Sequence, residues 1–193
     1  MTVLGLMGSP KAKGNADLLL DRALAGAESA GAETEKLVAA KLNMAPCIAC
    51  RGCEAAGECV VRDGMTEVYP KLENADAIIV ATPIHFMGMP AQLKALVDRC
   101  QPFWVRKYRF SRPIEKRRKG LFIAVGGTNL PHTFDAIELE IKSFFHCLNV
   151  EYTDEILIPE ISEHGDIADR EAALMSAYRA GERLARTVLE EAG

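Results

Sequence analysis

The sequence predicts an α/β fold: a parallel sheet with helices on both faces. Three observations predict it. Short apolar runs alternate with segments of helical period, five such runs occur, and several stop abruptly at glycine or proline. Residues 2–8 form the first run, closed by Gly8-Ser9-Pro10, and Leu20, Leu24 and Ala27 then share one helix face. Residues 34–39 are a weaker strand, followed by a cysteine-rich segment. Met65, Val68, Tyr69 and Leu72 mark a short amphipathic helix with Asp63 as its expected N-cap. Residues 77–82, AIIVAT, are the clearest strand and end at Pro83. Leu93, Leu96, Val97 and Cys100 form the next helical stripe, with Pro90 near its start. Residues 121–125 read as a buried strand closed by Gly126-Gly127. Phe134, Ile137, Ile141, Phe144 and Leu148 line a helix, and residues 152–158 are a last, less regular strand. Leu174, Ala177, Gly181, Leu184 and Val188 belong to a C-terminal helix. Without a repeat or a linker, the expectation is one domain over residues 1–193, with a cluster-binding loop at 43–63.

Composition narrows the class. Hydrophobic content of 49% with 26% charged residues is ordinary for a soluble globular protein. A net charge of −4 gives no whole-molecule reason to expect nucleic acid or an anionic membrane as partner. No apolar run reaches the roughly 18 residues of a membrane span. The first residues read as a strand without a cationic leader region, so a cytoplasmic location is expected. One anomaly stands out. Residues 106–119, RKYRFSRPIEKRRK, hold eight basic residues and one acid. They read as a long solvated loop before the fourth strand, or as a docking patch for an acidic partner or a neighbouring subunit.

In an open α/β sheet, ligands bind beyond the carboxyl ends of the strands. Three loops there carry distinctive chemistry. In GSPKAKGN, residues 8–15, the glycines allow tight turns, while Ser9, Asn15, Lys11, Lys13 and the free N–H groups of a helix start suit a phosphate monoester. This is neither a Walker A loop nor a GxGxxG fingerprint. The loop from Pro83 through Ile84, His85, Phe86 and Met87 is apolar and stiffened by prolines, as suits a flat ring or a core plug. At Gly126-Gly127 the backbone can approach a ligand closely, although a plain turn has the same composition.

CIACRGCEAAGEC, residues 47–59, holds four of the six cysteines at spacing C-x2-C-x2-C-x5-C. Disulfides fit a reducing compartment poorly. A four-cysteine zinc site and a redox dithiol stay open. Three cysteines at two-residue gaps instead match the ferredoxin pattern for an iron–sulfur cubane, with Cys47, Cys50, Cys53 and Cys59 as ligands. The small residues Ala49, Gly52, Ala55 and Ala56 leave room for it. Cys100 and Cys147 fall on apolar helix faces and are expected to be inert core thiols.

GSPKAKGN, ATPIHFMGMPAQLKALVDR and KGLFIAVGG together resemble the NADPH-dependent FMN reductase superfamily, and the cysteine run narrows the resemblance to its iron–sulfur flavoproteins. The resemblance covers nearly the whole chain. It implies a flavodoxin-like fold with strand order 2-1-3-4-5 and a cysteine loop after strand 2. It also implies an FMN phosphate on Ser9, Lys11 and Asn15 beside Ala16, and an isoalloxazine against Pro83, Ile84, His85, Phe86, Met87, Gly126 and Gly127. Ala16 stands where the family usually has Thr or Ser, and His85 where Tyr is common.

The function expected is an electron-transfer oxidoreductase with FMN and one [4Fe–4S] cluster. No side chain need act as an acid or base, because FMN carries the chemistry. The expected partners are a ferredoxin-like donor and a small acceptor such as dioxygen or peroxide. A homo-oligomer, dimer or tetramer, is expected because in this family the cluster of one protomer can lie near the FMN of another. Two alternatives remain: an NAD(P)H-dependent flavin or quinone reductase with a zinc or empty cysteine site, and a zinc-stapled binding module without turnover.

Overall fold

The computed structural model describes residues 1–192, with the helix-terminal Ala192 described by its backbone alone. Its sheet has order β2-β1-β3-β4-β5, all parallel. The strands are β1 (Thr2–Met7), β2 (Glu33–Val38), β3 (Ala77–Pro83), β4 (Arg118–Val125) and β5 (Val150–Ile158). The helices are α1 (Asn15–Ser29), α2 (Cys53–Ala56), α3 (Met65–Asn74), α4 (Ala91–Asp98), α5 (Gln101–Tyr108), α6 (Asp135–Cys147) and α7 (Glu171–Ala192).

Burial explains the strand types. The three central strands lie under helices on both faces, so Leu4, Leu6, Ile78, Val80 and Phe122 pack toward α3 to α6. Val3, Met7, Ile79, Leu121 and Ile123 pack toward α1 and α7. Continuous apolar sequence is therefore required there. The edge strands need only one apolar face. In β5 the exposed Glu151 and Glu155 alternate with more buried neighbours, and such charges also discourage edge-to-edge pairing.

Two corrections concern residues 101–119. Residues 101–108 form α5, and Arg118 begins β4, so the basic segment is a loop only in its middle. Arg118 is 1% exposed. It donates to the carbonyls of Leu72 near the end of α3 and Leu148 just past α6. A cation there offsets the partial negative charge of helix C-termini. Burial pulls its pKa down to about 10. The N-cap expectation shifts by one residue. Gly64 takes the cap position, while Asp63 Oδ1 still accepts the Met65 N–H at 3.0 Å.

Helices α1 and α7 approach closely through glycine. A Cβ on Gly181 would stand 1.8 Å from the Ala23 carbonyl oxygen, and one on Gly26 would stand 1.9 Å from that of Tyr178. Gly181→Ala gains at most about 1 kcal/mol of helix propensity. It meets rigid backbone rather than a movable side chain, at a cost of about 3 kcal/mol. A net loss of about 2 kcal/mol is expected, lowering the urea midpoint by about 1 M. A midpoint at or above wild type would show that the helices separate freely.

Candidate functional site

Two cavities gather the chemistry-bearing residues. The first is a cleft of about 340 Å³ at the carboxyl ends of β1, β3 and β4. Gly8 begins its first wall, donating its N–H to Ala81 O at 2.8 Å. A Cβ there would meet Thr82 Oγ1 at 2.5 Å, so only glycine lets the turn sit against the neighbouring strand. The Ser9 hydroxyl accepts the Lys11 N–H at 3.1 Å, and Asp17 Oδ2 accepts that of Lys13 at 2.7 Å. The first amides of α1, from Asn15, Ala16 and Asp17, have no acceptor within the helix. The cleft thus starts at a loop with Lys11 and unpaired helix amides, an arrangement suited to an anion.

Of the residues expected around a flavin, Ser9, Lys11, Asn15, Ala16, Pro83, Ile84, His85 and Gly127 line this cleft. Phe86, Met87 and Gly126 do not line it. Phe86 and Met87, at φ of 49° and 66°, form the tip of a two-residue turn. His85 and Gly88 exchange two backbone hydrogen bonds of 3.0 Å across that turn, leaving Phe86 fully exposed. Gly126 braces the exit of β5: its N–H donates to Ile158 O, and its carbonyl accepts the Ile161 N–H, each at 2.9 Å. Asn15 lines the cleft, but both ends of its amide are committed elsewhere. Nδ2 donates to Glu163 O at 2.7 Å, and Oδ1 accepts the Ile167 N–H at 3.1 Å.

Those bonds lead to residues the sequence reading missed. Ile161, Ser162, Glu163 and His164 also line the cleft, beside the start of α1. The missed signal was topological: the fifth strand also ends at the binding edge, so its outgoing loop belongs with the other three.

The second cavity, about 440 Å³, is lined by Cys47, Cys50, Cys53 and Cys59 together with Arg99, Gln101, Pro102, Trp104 and Val105. Left-handed residues fold the segment around it. Ala49, Arg51 and Gly57 have φ of 52°, 60° and 74°, and Gly57 ends the short α2. A Cβ on Gly52 would lie 2.7 Å from Val60. Arg99, 2% exposed, fastens both ends of the segment. Its guanidinium donates to Ala45 O at 2.7 Å, to Val61 O at 3.2 Å, and to Asp63 at 2.7 and 3.0 Å. Asp63 Oδ2 also accepts the Ala45 N–H at 3.0 Å.

The thiols differ. Burial is the main influence on Cys53 and raises its pKa. Burial also pushes Cys59 upward, but the Val61 N–H, Tyr69 and Arg99 outweigh it and hold the thiol below its ordinary value. Among the described residues, no three His, Cys, Asp or Glu side chains converge as ligands of one ion. Cys100 is fully buried, donates to Leu96 O, and is pushed well up by burial; Cys147 is pushed up to about 11 by the same cause. Neither lines the cysteine cavity.

The two cavities share no lining residue. Between the loop that enters α4 and Arg99 at its end lie eight helical residues, about 12 Å of rise. The basic segment, read as a solvated loop or a docking patch, is partly neutralised. Arg106, Arg109, Lys116 and Lys119 pair with Glu73, Glu54, Asp76 and Glu151. Lys107 donates to His146 O at 2.5 Å. Lys107, Arg112, Arg117 and the buried Arg118 make no ion pair among the described residues, so four of the segment's eight cations are paired with carboxylates. No helix among the described residues is long and apolar enough to cross a membrane.

Comparison with known proteins places these observations. Residues 1–146 match the family described as NADPH-dependent FMN reductase. The chain is 41% identical over 102 residues to an iron–sulfur flavoprotein of Methanocaldococcus jannaschii, covering 53% of each protein. It is 35% identical over 143 residues to an iron–sulfur flavoprotein of Archaeoglobus fulgidus, covering 74% of this chain and 70% of that one. The matched region thus spans about half to two thirds of these relatives. Among solved structures, a flavone reductase superposes with a TM-score of 0.75 at 20% identity, covering 97% of this chain and 63% of the other. That likeness concerns the fold alone.

Removing either partner of the Arg99–Asp63 pair leaves the other charge poorly solvated, at a cost of about 3 kcal/mol. Arg99→Met and Asp63→Asn should each lower the urea midpoint and speed modification of the motif cysteines. The pair also sets an acid limit. Chiefly through its bonds with Arg99, Asp63 sits at about 2, below its ordinary 3.8. Its contribution is complete above about pH 4 and is lost as pH falls through 2. The gap between wild type and Asp63→Asn should therefore be full at pH 5 and close near pH 2. A constant gap would assign the loss to packing.

Proposed function

The chain belongs to the NADPH-dependent FMN reductase family, and on that premise we propose that it is an FMN-dependent oxidoreductase that also carries a [4Fe–4S] cluster. One observation carries the cluster reading: all four cysteines of the C-x2-C-x2-C-x5-C segment face one cavity. A single tetrahedral zinc needs four sulfurs about 2.3 Å from one point. A cubane takes one thiolate at each of four irons, so its ligands ring a volume rather than meet. The C-x2-C-x2-C-x5-C spacing and the shared cavity favour the second arrangement.

When bound, FMN supplies a carrier for one or two electrons and the cluster a carrier for one. The chain's own residues hold, orient and shield. Lys11, the Ser9 hydroxyl and the first amides of α1 suit the phosphate of FMN, while Pro83, Ile84, His85 and Gly127 suit its ring. Ala16 offers a methyl group where a hydroxyl would donate, so the amides and Lys11 carry more of the phosphate interaction. The Val61 N–H and the Arg99 charge favour the thiolate of Cys59, the form that binds metal. On this reading the partners are a one-electron donor of the ferredoxin class and a small acceptor such as dioxygen or peroxide. Paired carboxylates leave residues 106–119 a weak candidate for the donor's surface.

Anaerobically purified protein should contain flavin, iron and sulfide, with flavin bands over a broad iron–sulfur absorbance. Cys53→Ala should remove most iron and sulfide while keeping flavin. Lys11→Ala should weaken flavin binding about tenfold while keeping iron. Iron-free protein that takes hydride stoichiometrically from NADPH would favour the reductase reading, and colourless protein holding zinc would favour the binding module. Self-association belongs to the same proposal. Phe86 and Met87 beside the cleft, with Leu139, Trp104 and Tyr108 along α5 and α6, are exposed apolar groups suited to a second copy. Light scattering should find a dimer or larger; a monomer at micromolar concentration would reject that part.

A further inference from the structure

The wall made by residues 161–164 lies outside the region that matches the family, yet it closes the end of the cleft nearest Lys11 and the start of α1. It is tied there by a side chain from the start of α1. Asn15 joins the two loops through both ends of its amide, to Glu163 O and from the Ile167 N–H, across 148 and 152 residues of sequence. The loop is also braced within itself. Glu163 donates its N–H to Asp166 Oδ2 at 3.0 Å, and Gly165 turns at φ 87°. The imidazole of His164 comes over the Lys11–Gly14 turn: its Cε1 would lie 3.8 Å from a Cβ built on Gly14.

An Asn at the first position of α1 would ordinarily be read as a direct anion ligand. Here one N–H and the oxygen of its amide are used on the loop, so it acts on a ligand chiefly through what it holds. What it holds is a loop that presents His164 and Ser162 to the cleft beside the Lys11–Gly14 turn. An imidazole N–H and a hydroxyl are donors suited to phosphate oxygens. Glu163 also lines this wall, and its carboxylate opposes an anion. Donors on the loop must therefore outweigh it for the loop to favour a phosphate.

Resting on the FMN reading above, we infer that the loop between β5 and α7 is a second phosphate clamp. His164 and Ser162 contact the phosphate end of the flavin, and Asn15 is the positioning residue that holds them. The clamp supplies part of the discrimination between FMN and riboflavin, which share a ring and differ in the phosphate.

The test is binding of FMN and of riboflavin to flavin-free protein, each followed by quenching of flavin fluorescence. Wild type should bind FMN the more tightly. His164→Ala, at an exposed position and so expected to fold normally, should weaken FMN about tenfold and riboflavin less than twofold. Asn15→Ala should lose FMN affinity similarly and also speed amide hydrogen exchange across residues 160–167, which His164→Ala should leave unchanged. An FMN-to-riboflavin ratio unchanged in His164→Ala, with wild type still preferring FMN, would overturn the clamp and leave the FMN reading standing. Wild type that binds neither flavin would overturn both.

Discussion

The cysteine segment has almost no apolar interior of its own, and one buried guanidinium holds it in place. Ile48 and Val60 are exposed, and none of α2 is buried. A segment of this kind cannot offset its ordering entropy by burial. Arg99 changes the balance. It joins the carbonyls before Cys47 and after Cys59 to the end of α4, and Asp63 cancels its charge while starting α3. Tyr69 completes the arrangement by donating to Arg99 O at 2.8 Å. The cost of burying the guanidinium is offset only because all these acceptors are present together. The cysteine cavity therefore depends on the packed ends of two helices rather than on the loop that carries the thiols.

Helix α4 links the two cavities. It is entered through Pro83–Met89, the loop beside the cleft, and it ends at Arg99. Its inner residues Leu93 and Leu96 lie in the same core as Leu4, Val80 and Phe122, so the sheet holds it rigidly. The loop at its start is fastened too: the Met89 N–H donates to Glu140 Oε2 on α6. A short helix fixed at both ends keeps the two cavities at a set separation within a protomer.

How much was legible from the sequence follows from where the determining contacts lie. β1, β3 and β4 were readable because strands buried on both faces must be continuously apolar, and residues 77–82 have no other explanation. That the four cysteines share one cavity and that the loop after β1 lines a cleft was legible, because local spacing and strand ends place them there. α5 was hidden by its charges: Arg106 and Lys107 mark solvent in a one-dimensional reading. In three dimensions Arg106 pairs with Glu73, thirty-three residues away, and stacks on Phe103 at 4.6 Å. The ion-pair partners of the basic segment were hidden for the same reason, since they come from α2, α3, β5, α7 and the turn before β3. Net charge along a stretch of chain predicts the surface field only when partners are local. Here most are not.

The wall at residues 161–164 shows a different limit. Its residues carry no motif, and Asn15, the side chain of α1 that bonds to it, looked like a ligand in its own right. An amide with a donor and an acceptor end can bind an anion or join two backbones, and the sequence is the same for both. The joining role changes what the first loop is for. On the proposed reading, Ser9, Lys11 and the start of α1 are one half of an anion site, and the amide of Asn15 fixes the position of the other half. The cleft is thus specified by a contact between the first helix and the last loop, and the chain must be folded nearly to its end before the phosphate side of the cleft exists.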